Sequence, residues 1–420
     1  MRSWPPGRPR ILVTDVWLAN AGDGAIALAT DRRLRRLAPG AAILHAAYQA
    51  DLVADAYPQL DLVPPLSGLL GVRPWIPEMS GWGADAGERL VADADLVLSQ
   101  GGGFAMEHYG PKERLRSWEL VVERRLPIAF CAQSIGPWRD PAARAILKRV
   151  LGAAVAVGLR ESDSVANVLA LGVPEDRVVV AADESFSLFD AREPGAAARA
   201  GFGCVLSGHP WLRRDGTVVD PRDSLDYLTR LVAYLVRLSR GEHVTLLSTQ
   251  QGLGDAGRGL EDDADLAANV IGRLPADAAR SIRTVAGYIP PLRFADLAAG
   301  FRGLVSMRMH PAIFGLCRGV PTVLVSEAYK ATAMFEMLGL GGVLVPWAAP
   351  LGEIEPKLRG DNPPSLDAAR ARAAANDQVV RRLLGAFRPA GAIRPRVARE
   401  AWRRWRPSAP RRPRLGRGLG

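Results

Sequence analysis

The chain has 420 residues, of which 48% are hydrophobic and 23% charged, and a formal net charge of +10. A single core rarely grows beyond roughly 250–300 residues, so two domains are expected. The hydrophobic content excludes a disordered chain. No apolar run reaches the about 18 residues that span a bilayer, and the N-terminus lacks the apolar segment of a signal peptide, so we expect a cytoplasmic protein.

The first half of the chain alternates short apolar runs with helical patterns. Near-continuous apolar strands separated by helices are typical of a parallel sheet covered on both faces. The pattern predicts a helix over Asp23–Leu37 and strands at Ile11–Thr14, Ala42–His45, Leu96–Ser99, Ile128–Ala132, Val155–Leu159 and Val178–Ala181.

The second half repeats this scheme. It predicts a helix over Tyr227–Leu238 and strands at Gly203–Leu206, Val244–Leu247, Thr284–Ala286, Gly303–Ser306 and Thr322–Val325. We therefore expect an α/β protein with two doubly wound, Rossmann-like lobes that face each other across a cleft, where the carboxyl ends of strands meet ligands. The predicted divisions are 1–190, 191–385 and a basic tail over 386–420.

The basic tail is rich in arginine and proline. It has two interpretations: a solvated terminus, or a segment attracted to anionic lipid at the inner face of the membrane or to a polyanionic acceptor. Nucleic acid is disfavoured, because no reader motif accompanies the charge. Cys131, Cys204 and Cys317 are far apart in apolar stretches, which predicts free buried thiols.

Three glycine-containing turns follow predicted strands. In the first, Asn20, Gly22 and Asp23 lie at the start of a predicted helix. Asp23 either caps this helix, or it binds a hydroxyl group or helps to deprotonate it. In the second, Gly101, Gly102 and Gly103 form either a strained turn or a backbone surface for a ligand. Ser134 lies in the third turn, Gln133–Pro137, which also follows a strand.

Arg160 ends a predicted strand, so its guanidinium group is expected to reach the cleft. Glu161 is the alternative partner for that group. An arginine fork suits a carboxylate or a phosphate.

Arg308 and His310 form the most informative motif. In extended geometry two such positions point the same way, so both side chains are expected on one face after the Gly303–Ser306 strand. An anion clamp beside an imidazole suits acid-assisted chemistry on a phosphorylated substrate. The other four histidines lack an arginine at this offset, and we expect structural roles for them.

Lys330 follows the Thr322–Val325 strand and starts a helical stretch. It is either a surface lysine or a phosphate contact. No cluster of histidine, cysteine and carboxylate residues suggests a metal site, so no metal is expected.

Taken together, the ordered motifs resemble the polysaccharide pyruvyltransferase family over roughly residues 10–345. The resemblance rests on these motifs: Asn20-x-Gly22-Asp23, Gly101–Gly103, Gln133–Pro137, Arg160-Glu161-Ser162-x-Ser164, Asp183, Arg308-x-His310-Pro311-Ala312, Gly319–Pro321 and Lys330. The chain departs from the family at Asp15–Ala19, where many relatives have a glycine-containing turn, and at Met309 and Pro311.

This resemblance implies a GT-B-like arrangement and transfer of a pyruvyl group from phosphoenolpyruvate to a sugar diol as a cyclic ketal, without a cofactor. For this reaction our hypothesis is that Arg308, Arg160 and Lys330 contact the donor. His310 is the candidate acid or the group that holds the donor, and Asp23 is the candidate base or hydroxyl anchor. Asn20, Gly22, the Gly101–Gly103 turn and Ser134 are expected as acceptor or loop contacts. The acceptor would be a sugar or a lipid-linked glycan. A GT-B glycosyltransferase that uses a nucleotide sugar and a non-catalytic glycan-assembly subunit remain the alternatives.

Overall fold

A computed structural model describes most of the chain. The described residues are 8–72, 84–109, 112–189, 199–249, 263–285, 287–360 and 364–388. The predicted boundary between the lobes therefore lies largely outside the described residues, as does the basic tail from residue 389 onward.

The N-terminal lobe contains an eight-stranded sheet in which every pair of neighbours is parallel. The strands are β1 (Arg10–Trp17), β2 (Ala42–Tyr48), β3 (Leu62–Val63), β4 (Leu96–Ser99), β5 (Gly102–Ala105), β6 (Ile128–Ile135), β7 (Ala156–Leu159) and β8 (Val178–Val180). Their order is β3-β2-β1-β4-β6-β7-β8, and β5 pairs with β6.

Helices connect these strands. They are α1 (Ala21–Leu37), α2 (Ala50–Val53), α3 (Leu66–Leu69), α4 (Ala84–Asp93), α5 (Lys112–Glu123), α6 (Pro141–Ala153) and α7 (Ser162–Ala170). Side chains alternate across a strand, so Ile11 and Val13 of β1 enter one hydrophobic cluster and Leu12 enters another. The sheet is thus covered on both faces, as its unbroken apolar strands predict.

The C-terminal lobe has a six-stranded parallel sheet and a separate two-stranded hairpin. Its strands are β9 (Phe202–Val205), β10 (Trp211–Leu212), β11 (Val218–Val219), β12 (Val244–Leu247), β13 (Ile282–Val285), β14 (Gly303–Ser306), β15 (Thr322–Val325) and β16 (Leu344–Val345). The sheet order is β13-β12-β9-β14-β15-β16. Successive strands are added outward from β9 on one side, and from β14 onward on the other side, so the direction of strand addition reverses between β9 and β14. Such a reversal opens a crevice for ligands.

The remaining helices complete the fold. They are α8 (Leu225–Ser239), α9 (Asp263–Ile271), α10 (Ala276–Arg280), α11 (Pro291–Ala299), α12 (Met309–Cys317), α13 (Tyr329–Met337), α14 (Ile354–Leu358), α15 (Asp367–Ala374) and α16 (Asn376–Gly385). The predicted fold class, two Rossmann-like lobes facing across a cleft, is confirmed. Cys131, Cys204 and Cys317 are buried free thiols, as predicted.

The last helix packs back onto the N-terminal lobe. Asn376 Nδ2 donates to the Ala182 carbonyl oxygen over 3.0 Å, and Asp377 pairs with the buried Arg33. A Cβ built on Gly158 in β7 would lie 2.9 Å from Val379, so α16 lies directly on the sheet. The C-terminal end of the described chain is therefore part of the N-terminal core.

The lobes also contact each other beside the cleft. The Ala21 amide donates to the Thr249 carbonyl oxygen over 3.1 Å, and Tyr288 Oη donates to the Leu18 carbonyl oxygen over 2.6 Å. Within the described part of the chain, no helix is both long and apolar enough to cross a membrane.

Candidate functional site

A cavity of about 310 Å³ lies between the lobes. Residues that follow strands of both sheets line it, since the carboxyl ends of the strands face the cleft. The lining residues include Trp17, Asn20, Asp23, Gly103, Arg160, Ser207, Arg308, His310 and Lys330. The structure thus brings the predicted donor and catalytic residues to one site.

Asp183 joins two of these residues. It is fully buried, its Oδ2 atom lies 3.3 Å from His310 Nε2, and the same oxygen accepts a hydrogen bond from Arg160. Burial alone would raise the pKa of Asp183, but the charge and hydrogen bond of His310, with Arg160, hold that pKa well below its usual range. Asp183 therefore stays ionised and orients the imidazole ring.

Arg160 is placed behind the cavity surface. Its side chain is 1% exposed, and its Nε donates to Ser134 Oγ over 2.8 Å. The alternative partner Glu161 instead accepts hydrogen bonds from Ser134 and Ser164. Arg160 thus contributes positive charge to the site from a buried position, and its direct carboxylate partner is Asp183.

The expectation that Arg308 and His310 share an extended segment is wrong. Helix α12 begins at Met309, so Arg308 is the residue before the helix and His310 lies in its first turn. The two side chains still line one cavity. Arg308 forms a two-pronged ion pair with Asp263, in which its Nε lies 3.0 Å from Oδ2.

Lys330 lies in the first turn of α13. Its Nζ donates to Tyr109 Oη over 2.6 Å, and the Tyr109 ring stacks on His209 with centroids 5.5 Å apart and an interplanar angle of 11°. This contact crosses the cleft, because Tyr109 belongs to the N-terminal lobe. The lysine is therefore part of the site and not a solvated surface residue.

Asp23 faces these cations from α1. Burial raises its pKa above the ordinary value, although the charges of His310, Lys330 and Arg160 oppose that rise. The alternative that Asp23 caps α1 is wrong: the cap is Asn20, whose Oδ1 accepts from the Gly22 amide over 2.7 Å. The Asp23 carboxylate is thus available to the cavity.

The turn residues divide into two groups. Asn20 and Gly103 line the cavity, whereas Gly22, Gly101 and Gly102 lie in its supporting layer. A Cβ on Gly22 would lie 2.0 Å from His310 Nδ1, so this glycine allows α1 to approach the imidazole. A Cβ on Gly103 would lie 3.4 Å from Lys330 Nζ. Ser134 is fully buried between Arg160 and Glu161, so here it supports the arginine.

Sequence reasoning missed several residues of the site. His108 and His209, for which we expected structural roles, line the cavity, as do Tyr109, Trp17 and Arg114. Asp263 gave no usable signal because it ends an acidic run of three residues. Among the described residues, no group of three or more histidine, cysteine or carboxylate side chains is placed to hold a metal ion.

Fold and site together define a two-lobed, GT-B-like α/β protein whose cleft is lined by charged and aromatic side chains. Three solved structures of UDP-GlcNAc 2-epimerases share this fold. The enzyme from Neisseria meningitidis is 10% identical, the match covers 90% of this chain and 100% of that one, and the TM-score is 0.53. For Rickettsia bellii the identity is 10%, the coverage 90% and 96%, and the TM-score 0.55. For Methanocaldococcus jannaschii the identity is 11%, the coverage 90% and 99%, and the TM-score 0.53.

The family described as polysaccharide pyruvyl transferase matches residues 20–329. The chain belongs to this family. A curated relative, the amylovoran biosynthesis protein AmsJ of Erwinia amylovora, is 23% identical over 258 residues, which are 59% of this chain and 60% of the relative. The alignment therefore spans less than two thirds of that relative.

Proposed function

We propose that this chain transfers a pyruvyl group from phosphoenolpyruvate to two hydroxyl groups of a sugar, forming a cyclic ketal during the synthesis of a cell-surface or exported polysaccharide. The observation that carries the proposal is the convergence of His310, Lys330, Arg160 and Asp23 on one cavity of about 310 Å³. Family membership supports the transfer of pyruvate.

The cavity favours a small, highly charged donor. Phosphoenolpyruvate carries a carboxylate and a phosphate, and the first turns of α1, α12 and α13 all face the cavity through Asp23, His310 and Lys330. Helix N-termini carry partial positive charge and bind anions. Arg308 and Arg160 add full charges, which Asp263 and Asp183 hold in fixed directions.

The residues have distinct tasks in this scheme. A proton passes to the methylene carbon of phosphoenolpyruvate, and His310 supplies it or holds the donor for that step. A sugar hydroxyl attacks the resulting electron-poor C2, and Asp23 accepts its proton. The C2–O bond to phosphate breaks, and the surrounding cations stabilise the phosphate that leaves. A second hydroxyl then attacks C2 and closes the ketal; its proton returns to His310, and the proton held by Asp23 leaves with the phosphate.

Two alternatives share the architecture. A glycosyltransferase would place the diphosphate of a nucleotide sugar near the same cations, and a non-catalytic subunit would bind neither donor productively. The fully assembled pair of His310 and Asp183 favours catalysis, because a binding subunit does not need an oriented imidazole. Cytoplasmic location and contact of the tail with the membrane surface belong to the proposal as well, since phosphoenolpyruvate is a metabolite of the cell interior.

The test is donor binding by calorimetry, with phosphoenolpyruvate, UDP and UDP-GlcNAc as ligands. We expect wild type to bind phosphoenolpyruvate and Lys330→Ala to bind it at least about tenfold more weakly, because a charged hydrogen bond is worth about 1.5–3 kcal/mol. Lys357→Ala is the matched control, since Lys357 does not line the cavity and donates to the Gly342 carbonyl oxygen.

Binding of UDP-GlcNAc with no response to phosphoenolpyruvate would refute the proposal in favour of a glycosyltransferase. If phosphoenolpyruvate binds, phosphate release in the presence of candidate sugars identifies the acceptor. No binding of any of the three ligands would support the non-catalytic subunit.

A further inference from the structure

Arg114 lines the cavity on the side of the N-terminal lobe and has no role in the reaction proposed above. It projects from α5, and its side chain is 16% exposed. Its Cζ atom lies 4.9 Å from the centroid of the Phe104 ring and 5.7 Å from that of Tyr48. Contacts of this kind hold a guanidinium group in place without consuming its hydrogen-bond donors.

Arg114 has a weaker contact with a carboxylate than the other two arginines of the cavity. Arg160 and Arg308 donate directly to carboxylates. Arg114 Nε lies 3.9 Å from Asp15 Oδ1, beyond hydrogen-bond distance, and within the described residues this buried nitrogen has no hydrogen-bond partner. Because this Nε is buried, a ligand in the cavity would meet the terminal nitrogens of Arg114 instead. Within the described residues these nitrogens make no hydrogen bond either, and part of the side chain is exposed to the cavity, so they are open to an anionic partner.

The Asp15 carboxylate already accepts hydrogen bonds from other side chains. Its Oδ2 accepts hydrogen bonds from Ser99 Oγ over 2.7 Å, from Thr14 Oγ1 over 2.8 Å and from Trp118 Nε1 over 3.0 Å. Asp15 also adopts a φ of 66°, in the left-handed region that few residues other than glycine occupy. Strained residues of this kind cluster at ligand sites. The carboxylate therefore fixes the direction of Arg114 electrostatically and leaves its donors to a ligand.

The surface beside Arg114 is aromatic. Trp17 lines the cavity and packs on Tyr48 with ring centroids 5.3 Å apart, and Phe104 lines the same wall. Aromatic faces offer a large apolar area with a defined orientation, which suits the C–H face of a sugar ring. An arginine at the edge of such a face suits an anionic substituent on the ring, because its planar fork binds carboxylate or phosphate through two parallel hydrogen bonds.

We infer that the wall formed by Trp17, Phe104 and Arg114 binds the acceptor sugar, and that Arg114 receives an anionic group carried by that sugar. This inference rests on the proposed function and names the acceptor class: an acidic sugar or a glycosyl phosphate. Both chemistries offer oxygen atoms to the same fork. A neutral sugar would leave the guanidinium group unpaired.

The experiment compares three probes by calorimetry: methyl α-glucuronide, α-glucose 1-phosphate and neutral methyl α-glucoside. We expect wild type to bind at least one anionic probe about tenfold more tightly than the neutral one, as one charged hydrogen-bonded contact supplies about 1.4 kcal/mol or more. Arg114→Met keeps an apolar stem over Phe104 and removes the charge, so it should abolish this preference.

Arg116→Met is the control, because Arg116 lies on the same helix and is 46% exposed in a pair with Glu119. It should keep the wild-type preference. Preference for the glucuronide alone would assign a carboxylate on the acceptor, and preference for the phosphate alone a glycosyl phosphate. Equal binding of all three probes, no binding of either anionic probe, or a preference that survives in Arg114→Met would overturn the inference.

Phosphoenolpyruvate is titrated into the same proteins. Its affinity should be the same within about twofold in wild type and Arg114→Met, a difference below about 0.5 kcal/mol. Loss of phosphoenolpyruvate binding in Arg114→Met would place Arg114 on the donor side and overturn the inference. Failure of wild type to bind phosphoenolpyruvate would instead sink the proposed function, while the sugar comparison would still report on the wall itself.

Discussion

Replacing Gly22 by alanine should displace the imidazole of His310 without removing any side chain of the site. The added Cβ would lie 2.0 Å from His310 Nδ1 and 2.8 Å from its Cβ, whereas ordinary contacts begin at 3.4 Å. The ring and the helix must therefore separate by about 1.4 Å. Because the His310 Nε2 to Asp183 distance is already 3.3 Å, a displacement of this size ends that hydrogen bond.

The magnitude follows from the displacement. Misplacing a reacting group by about 1 Å costs on the order of 100-fold in rate, so we expect kcat to fall by about that factor. Forcing a methyl group into a packed site costs about 1–3 kcal/mol of folding stability, so the variant should remain folded. Affinity for phosphoenolpyruvate should change little, since Lys330 and the arginines are untouched.

Two measurements check this reasoning. Phosphate release from phosphoenolpyruvate with a working acceptor gives kcat, and nitrogen NMR of labelled histidine reports which ring nitrogen of His310 carries the proton. Gly24→Ala is the steric control, because its Cβ would lie equally close, 2.0 Å, to Tyr57 Oη and does not meet His310. An unchanged histidine spectrum, or an equal loss of kcat in both variants, would refute the argument.

Three further predictions concern Glu161, Asp23 and Gly152. Burial raises the pKa of Glu161 to about 7, against the opposing effects of Arg160 and two serines. The folded state therefore binds more protons than the unfolded state. As a result, the free energy of unfolding falls as the pH rises from about 4.5 to about 7. Glu161→Gln should therefore gain roughly 3 kcal/mol over wild type between pH 5 and pH 8 in urea unfolding, and a constant difference would contradict this. The pKa of Asp23 is raised, so kcat/KM should increase with pH through a value above the usual aspartate range. Asp23→Asn should remove that limb and about 100-fold or more of the rate; a limb that persists in the variant would exclude Asp23 as the base. Gly152 lies in α6 with open space around it, so Gly152→Ala should stabilise the protein by about 0.5–1 kcal/mol in the same unfolding assay, and a loss of stability would contradict the geometry.

Every strand that the sequence pattern identifies has at least three residues. β4, β12, β14 and β15 have the predicted bounds, because each apolar run is flanked by polar or turn residues. The two-residue strands β3 and β16 escape such a pattern, since they have no periodicity to detect. Strand β5 is hidden within the glycine turn, where its two glycines indicated a loop.

The residues of the candidate site that directly follow a strand could be predicted from the sequence. The carboxylates that pair with those residues could not. His310, Arg308, Arg160 and Lys330 all follow strands, and the carboxyl ends of parallel strands necessarily meet at the cleft. The partner of Arg308 is 45 residues away in the chain, and sequence offers no rule for choosing it. The extended geometry assumed for Arg308 and His310 failed because the helix starts one residue after the arginine.

The return of α16 to the N-terminal lobe has a consequence for biosynthesis. As the chain leaves the ribosome, β6, β7 and Ala182 are made about 200 residues before the helix that covers them. Until Val379 arrives, the surface of β7 around Gly158 is exposed, and the buried Arg33 lacks one of its carboxylates. The first lobe therefore cannot reach its final packing until this helix has left the ribosome. A fragment ending before residue 376 should be prone to aggregation, even though it contains every strand of both sheets.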